Sequence, residues 1–154
     1  MLLEYVRIRE TAKAPVRANP SDAGLDVFYS PDDAKVIGMK INPGEGAILP
    51  TGLRFGVPHG FMLEVKNRSS IAATRRLIVG ACVIDSGYDG EVFINLHNVG
   101  NETQWVERNT KIAQLVLVPV VPFRAIETQS GDLYNWYPIT ISDRGEGALG
   151  STDE

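Results

Sequence analysis

The sequence is short of the features that mark secreted and membrane proteins. Its 154 residues include one cysteine, Cys82, so no intramolecular disulfide can form and a reducing compartment is favoured. No apolar run approaches the roughly 20 residues that a membrane-spanning helix needs. The first ten residues, MLLEYVRIRE, carry charges early and predict a strand rather than a signal peptide. We therefore expect no membrane association and a location in the cytoplasm, or in the host cytoplasm if the protein is viral.

The chain also lacks an excess of basic charge. Its net charge is −4, which argues against a general nucleic-acid binder. The segment 66–76 is a local exception, because it holds four basic residues and no acidic one: Lys66, Arg68, Arg75 and Arg76. Such a segment can attract phosphate oxygens, or it can be an ordinary solvated surface.

Long helices are not expected, because 15 glycines and nine prolines break the chain into short runs. Alternation of apolar and polar residues between turn signals predicts roughly ten short strands. The clearest are residues 3–9, 25–29, 39–42, 47–50, 52–57, 61–66, 104–106, 112–121 and 133–141. One short helix is predicted at 70–74, with Ser69 or Ser70 as its N-cap. The fold class is all-β, a sandwich or jelly roll with one short helix.

The segment 79–96 predicts a β-hairpin whose turn carries a candidate catalytic carboxylate. An apolar run from Val79 to Ile84 ends at Asp85, and the turn 86–90 precedes a second alternating run. An Asp at that junction can be held rigidly with its carboxylate exposed, which suits orienting a water against a bound substrate. Tyr88 can form a wall of the same pocket. The simpler interpretation is an Asp that starts a turn beside a half-exposed aromatic.

A second candidate group surrounds the start of the predicted helix. A helix N-terminus offers unpaired N–H groups and partial positive charge, which bind phosphate. Ser69 and Ser70 would add hydroxyl donors, and Arg68 would add a charged guanidinium with several N–H donors. Alternatively, the serines only cap the helix. Gln114 lies in an otherwise apolar strand and is costly to bury without a hydrogen-bond partner.

Five segments of the chain occur in a fixed order: AGLD at 23–26, RSS at 68–70, the hairpin at 79–91, KIAQL at 111–115 and RGEGALGST at 144–152. In this order and spacing they resemble the five motifs of the trimeric dUTPases, the deoxyuridine triphosphate nucleotidohydrolases. The resemblance implies a distorted jelly roll assembled as a homotrimer with shared active sites. It also implies Mg²⁺-dependent hydrolysis of dUTP to dUMP and pyrophosphate, which limits uracil in DNA and supplies dUMP.

The resemblance implies roles for individual residues. Asp85 aligns the water that attacks the α-phosphorus, and Tyr88 packs against the deoxyribose and excludes a 2′-hydroxyl. Asn98 supports the hairpin, whose main chain reads uracil, and Asp26 lies near Mg²⁺ through water. The other substrate-binding residues contact the phosphates or close the site: Arg68, Ser69, Ser70, Gln114, Arg144, Leu149, Gly150, Ser151 and Thr152.

The resemblance divides the chain into a jelly-roll domain at 1–143 and a flexible Gly-rich tail at 144–154, which closes over the active site. The chain departs from the family pattern in several places. Leu149 stands where a Phe usually stacks on uracil, so weaker base stacking is expected. Cys82 stands where the family often has Gly, and Asp89 stands where it often has a basic or polar residue. Lys111 replaces the more common Arg. The segment 127–141 has no counterpart and could be an extra strand or an added contact surface.

Two other functions fit part of the pattern. A dCTP deaminase shares the fold but needs a general-base Glu near C4 of the pyrimidine; the turn after Asp85 and the Arg-led tail favour the hydrolase. A dUTPase-like regulatory binder would use nucleotide-driven ordering of the tail. All three interpretations expect a small nucleotide as the partner and no nucleic acid.

Overall fold

The computed structural model describes residues 1–138, which contain eleven short strands and one helix. The chain divides into two compact units, Met1–Pro122 and Phe123–Glu154, and all of these elements lie in the first. The elements are β1 (Glu4–Arg7), β2 (Leu25–Phe28), β3 (Gly38–Ile41), β4 (Gly46–Pro50), β5 (Leu53–Gly56), β6 (Phe61–Lys66), α1 (Ser69–Arg75), β7 (Leu77–Val79), β8 (Val83–Ile84), β9 (Phe93–Asn98), β10 (Gln104–Glu107) and β11 (Lys111–Pro119). None of the described residues form a helix long and apolar enough to cross a bilayer.

Antiparallel pairing groups the strands into four sheets. Strands β2, β11, β6 and β8 form one sheet in that order, β4, β9 and β7 form another, β1 pairs with β5, and β3 pairs with β10. Alternation directs one side of each strand inward: in β9, Ile94 and Leu96 are fully buried, whereas Phe93 is exposed. Leu53 and Leu63 join the same apolar cluster from two other sheets. The predicted all-β fold class is confirmed.

Helix α1 begins one residue earlier than predicted and is not capped by a serine. Arg68 is the N-cap, with extended backbone (φ −89°, ψ 132°) and no side-chain cap hydrogen bond. Ser69 and Ser70 lie inside the first turn, so the prediction of a serine N-cap was wrong. The physical reason is that Arg68 keeps an extended backbone after β6, and helical geometry starts only at the next residue.

The predicted hairpin at 79–96 is paired only at its base. Strand β7 pairs with the last three residues of β9, and the N–H of Gly80 donates to the carbonyl of Asn95 at 2.9 Å. Beyond this point β8 pairs with β6, while β9 continues beside β4. The two arms therefore belong to different sheets, and the turn 85–90 bridges them. We call the opening between residues 83–85 and 91–93 the fork.

A charge network centred on the largely buried Arg9 and Glu91 holds the far end of that turn. The Arg9 guanidinium pairs with Glu91 and with Asp32 (Nη1 to Oδ1, 2.5 Å), and it donates to the carbonyl of Ser30 (3.0 Å from Nη2). Glu91 also accepts the N–H of Gly52 at 2.6 Å. The side chains of Arg9 and Glu91 are only 16% and 11% exposed. A pair this buried needs further hydrogen bonds to offset desolvation, and these bonds fix residue 91 to the start of β5.

The second unit is described over residues 123–138, where the chain forms neither strand nor helix. Gly131 and Tyr134 have positive φ angles of 77° and 64°, and the amide of Asn135 donates to the carbonyl of Asp132 at 3.0 Å. The strand predicted at 133–141 is therefore wrong over 133–138. Short polar side chains that bond to nearby backbone compete with strand pairing, and alternation alone does not reveal that competition.

Candidate active site

A cavity of about 220 Å³ lies in the fork. Both arms and the turn supply its walls, namely Val83, Ile84, Asp85, Tyr88, Glu91, Val92 and Phe93. Asp85 and Tyr88, which the sequence predicts to share a pocket, both line it. A carboxylate beside aromatic rings suits a ligand that combines flat or ring-shaped parts with a bond attacked by water.

The backbone around Asp85 is held by strand pairing and hydrogen bonds, whereas Asp85 itself is exposed. The preceding strand, β8, is paired with β6. The carbonyl of Asp85 accepts the N–H of Tyr88 at 3.2 Å, and Gly87 takes a φ of 86°, which favours glycine. The hydroxyl of Ser86 donates to the carbonyl of Val57 at 3.0 Å. A fixed backbone with a free carboxylate is the arrangement that positioning a water requires.

The ring of Tyr88 is held against the end of the turn. Its hydroxyl donates to the carbonyl of Glu91 at 2.8 Å, and the residue is 46% exposed. A Cβ at Gly90 would lie 2.4 Å from the Tyr88 hydroxyl oxygen, so this close approach depends on glycine. Arg9 pairs with Glu91, so this charge network also fixes the residue whose carbonyl accepts the hydrogen bond from the Tyr88 hydroxyl.

A second polar group lies on the sheet formed by β2, β11 and β6. Asp26 pairs through Oδ1 with Nε of Arg68 (2.8 Å) and through Oδ2 with Nζ of Lys111 (2.9 Å). Gln114 stands opposite Asp26 and donates to the carbonyl of Asn67 at 2.9 Å. Within residues 1–138 the two terminal nitrogens of Arg68 have no hydrogen-bond partner. They can therefore bind an oxyanion while Nε stays on Asp26.

Gly24 allows Gln114 to occupy this position. A Cβ on Gly24 would lie 2.3 Å from Oε1 of Gln114, and the same side chain would meet it at two further carbon atoms. The glycine two residues before Asp26 is therefore required for steric reasons, since any larger residue would displace the Gln114 amide.

The four basic residues of segment 66–76 do not converge on one point. Lys66 pairs with Glu64 at 2.6 Å, and Arg75 donates to Gln104 at 3.1 Å. Of the four, Arg68 is the one that joins Asp26. The segment is therefore mostly an ordinary surface with one residue drawn into the polar group.

The other predicted site residues are placed in different ways. Ser69 and Ser70 are exposed in the first turn of α1, next to Arg68. Asn98 is buried, and its amide nitrogen donates to the carbonyls of Ile41 (3.0 Å) and Glu102 (2.8 Å). Those bonds hold the end of β9 that pairs with β7, and support of the hairpin by Asn98 stays a prediction. Five predicted residues lie outside the described part of the chain: Arg144, Leu149, Gly150, Ser151 and Thr152.

The donor set for a metal ion is small. Among residues 1–138 no group of three or more His, Cys, Asp or Glu side chains could hold a metal. Each carboxylate oxygen of Asp26 already pairs with a cation. This arrangement fits contact with Mg²⁺ through water, because Mg²⁺ on a triphosphate takes most of its ligands from phosphate oxygens and waters.

The sequence analysis did not single out five of the cavity residues, namely Val83, Ile84, Glu91, Val92 and Phe93. The aromatic one among them is Phe93. It lies on the outward side of β9 and is 47% exposed. The available signal was a large aromatic at the position of an alternating strand where a polar residue is usual.

Solved structures share this fold. The Staphylococcus bacteriophage 80alpha dUTPase with dUPNHPP matches with a TM-score of 0.81 and 22% identity, covering 97% of each chain. The dUTPase from phage phi11 of S. aureus matches with a TM-score of 0.76 and 22% identity, covering 84% of this chain and 97% of that one. At this level of identity the comparison establishes the class of fold, the all-β fold of dUTPases.

Sequence comparison establishes the family. The family model described as dUTPase matches residues 10–152. The deoxyuridine 5'-triphosphate nucleotidohydrolase of Clostridium tetani is 34% identical over 152 residues, 97% of this chain and 95% of that protein. Its counterpart from Anaplasma marginale is 35% identical over 144 residues, 90% of this chain and 87% of that protein. The chain belongs to the dUTPase family, as the five ordered segments predict.

Proposed function

We propose that this chain is a dUTP diphosphatase, which hydrolyses dUTP to dUMP and pyrophosphate. The observation that carries the proposal is family membership across nearly the whole chain, with relatives named for this substrate at 34% and 35% identity. The fork supports it, because Asp85 and Tyr88 line one cavity. The reaction limits uracil in DNA and supplies dUMP.

In the proposed mechanism, uracil binds in the fork. Strand β7 covers β9 only at its base, so main-chain groups near Phe93 can pair with the acceptor–donor–acceptor edge of uracil. Tyr88 packs against the deoxyribose and leaves no room for a 2′-hydroxyl. Asp85 orients a water and takes its proton as the water oxygen bonds to the α-phosphorus. The bond from that phosphorus to the bridging oxygen breaks, and pyrophosphate leaves with the electron pair.

The phosphates are held by residues that place positive charge or hydrogen-bond donors where negative charge develops. Arg68 and Gln114 supply a guanidinium and an amide beside Asp26, and Ser69 and Ser70 add hydroxyls. Arg144 of the tail binds the phosphates. The rest of the tail closes over the site and excludes water, through Leu149, Gly150, Ser151 and Thr152.

We propose Mg²⁺ as the cofactor. A mutant dUTPase of phage phi11 coordinates a structural Mg(II) ion. In this chain Asp26 would contact a water of the ion, and the ion would neutralise phosphate charge. Arg68 and Lys111 hold the Asp26 carboxylate in one orientation.

A panel of nucleotides tests the function. We expect pyrophosphate release from dUTP at a kcat above about 1 s⁻¹ with Mg²⁺, and much less without it. For UTP and dCTP we expect kcat/KM at least about tenfold lower than for dUTP. The 2′-hydroxyl of UTP would meet Tyr88, and the cytosine of dCTP would leave main-chain groups unpaired. The panel also includes dTTP. Ammonia release from dCTP would instead indicate a deaminase, and nucleotide binding without turnover a regulatory binder.

The distance between the two polar groups supports a site shared between copies. Leu63 of β6 pairs with Ile84, so Asp85 lies beside the start of β6, whereas Arg68 lies beyond its end. The chain from Leu63 to Arg68 spans roughly 16 Å at the rise of an extended strand, and antiparallel pairing places Asp85 farther still. The resemblance to the trimeric dUTPases implies shared active sites, so we propose a homotrimer in which Asp85 of one copy and Arg68 of another act on the same dUTP.

Mixing two inactive variants tests the shared site. Asp85→Asn and Arg68→Ala are each expected to lose activity, and co-refolding them in equal amounts should restore it in about a quarter of the sites if copies mix at random. Chains refolded separately and then pooled without exchange are the control. If each site lay within one chain, the co-refolded mixture would stay as inactive as its components. Light scattering gives the mass of the assembly directly.

The cytoplasm, or the host cytoplasm for a viral protein, is the proposed location. Cys82 is a free thiol on the surface of the described chain, which a reducing compartment would preserve.

A further inference from the structure

We propose that the side chain of Phe93 is the base-contacting wall of the cavity and sets the affinity for the nucleobase. The proposal rests on the proposed function and adds a specificity residue to it. Its starting point is the position of an apolar ring outside the core: Phe93 is 47% exposed, although its neighbours Val92 and Ile94 are buried. It shares the cavity with Asp85 and Tyr88.

The two aromatic rings of the cavity are held differently. The hydroxyl of Tyr88 is committed to the carbonyl of Glu91, which fixes that ring at the turn, close to Asp85 in the chain. Phe93 has no polar atom, so it can contribute to a ligand only through the face or edge of its ring. A nucleotide brings a sugar and a flat base into one site. The ring near the catalytic carboxylate suits the sugar, and the ring on the other arm suits the base.

Strand geometry places the Phe93 ring beside the plane of a bound base. Beyond Gly80, β7 no longer covers β9, so the edge of β9 at residue 93 faces the fork. A base that pairs with this main-chain edge lies roughly in the plane of the sheet. Side chains stand roughly perpendicular to a sheet, so the side chain of residue 93 projects beside one face of that base. The main chain reads the edge of the base, and the ring covers its face.

Binding of dUPNHPP, measured by calorimetry, tests the proposal. Phe93→Leu should weaken it about tenfold, the scale of one base–aromatic stacking contact, whereas Phe93→Tyr keeps a ring and should stay within about twofold. In turnover, Phe93→Leu should raise KM for dUTP and leave kcat unchanged, because Asp85 is untouched. 2-Deoxyribose 5-triphosphate has no base, so its affinity should be the same for the wild type and for Phe93→Leu.

Trp105→Leu is the matched control, since Trp105 is 46% exposed on β10 and does not line the cavity; it should bind dUPNHPP like the wild type. The inference is overturned if Phe93→Leu binds dUPNHPP as well as the wild type does. It is also overturned if Phe93→Leu weakens the base-free triphosphate equally, which would indicate a general structural effect. Failure of the wild type to bind or hydrolyse dUTP would instead contradict the proposed function itself.

Discussion

Replacing Asp85 by asparagine is expected to lower kcat for dUTP about a thousandfold, while the Kd for dUPNHPP stays within about twofold. Asparagine has nearly the same shape and can keep its place in the turn, because the turn is held by backbone bonds and by Ser86. What the variant loses is the carboxylate that orients the water and takes its proton. Steady-state pyrophosphate release and calorimetry measure the two quantities.

Asp89→Asn is the matched control for that substitution. Asp89 lies in the same turn, but its side chain is 85% exposed and pairs with Arg54 on the surface. We expect its kcat to stay within about twofold of the wild type, because surface pairs contribute little. Equal losses in both variants would mean that turn structure, and not the Asp85 carboxylate, carries the effect. An active Asp85→Asn enzyme would contradict the assigned role.

The second large effect concerns stability. Glu91→Ala is expected to lower the free energy of unfolding by about 3 kcal/mol, because it leaves the Arg9 charge poorly compensated and the Gly52 N–H without its acceptor. For a chain of this size that corresponds to a Tm lower by about 6–12 °C. Thermal unfolding at a fixed protein concentration measures the change. The Tyr88 hydroxyl donates to the carbonyl of residue 91. Displacing that residue should therefore also displace the Tyr88 ring and raise KM for dUTP in the folded variant.

A surface ion pair gives the comparison for Glu91. Asp89→Ala removes the partner of Arg54, whose side chain is 38% exposed, and should change the free energy of unfolding by less than about 0.5 kcal/mol. A Glu91→Ala protein as stable as Asp89→Ala would show that the Arg9 network contributes little. Arg9 would then be satisfied by Asp32 and Ser30 alone.

Local patterns predicted the elements well where one strand face is buried. Residues 61–66 are a strand with the predicted bounds, because Leu63 and Val65 alternate with less buried neighbours. The pattern could not predict partners. The runs on either side of Asp85 look like one hairpin in sequence, but β8 pairs with β6 and β9 with β4. Alternation specifies that a segment is a strand and which side faces inward, and it does not specify the neighbouring strand.

The same limit applies to the candidate site. Asp85 and Tyr88 are close in sequence and belong to one turn, so their shared cavity was predictable. Asp26 and Gln114 meet only through the register of β2 and β11, and without the dUTPase resemblance the sequence does not connect them. The role of Phe93 depends on the separation of two sheets, which no local pattern encodes.

Strand β6 has a consequence for how this protein can vary. It is hydrogen-bonded on one side to β8, which leads into Asp85, and it leads at its own end into Arg68. Inserting a residue into β6 would turn Leu63 or Val65 toward solvent. It would also change the spacing between Asp85 and Arg68. This six-residue strand is therefore constrained in length at both ends.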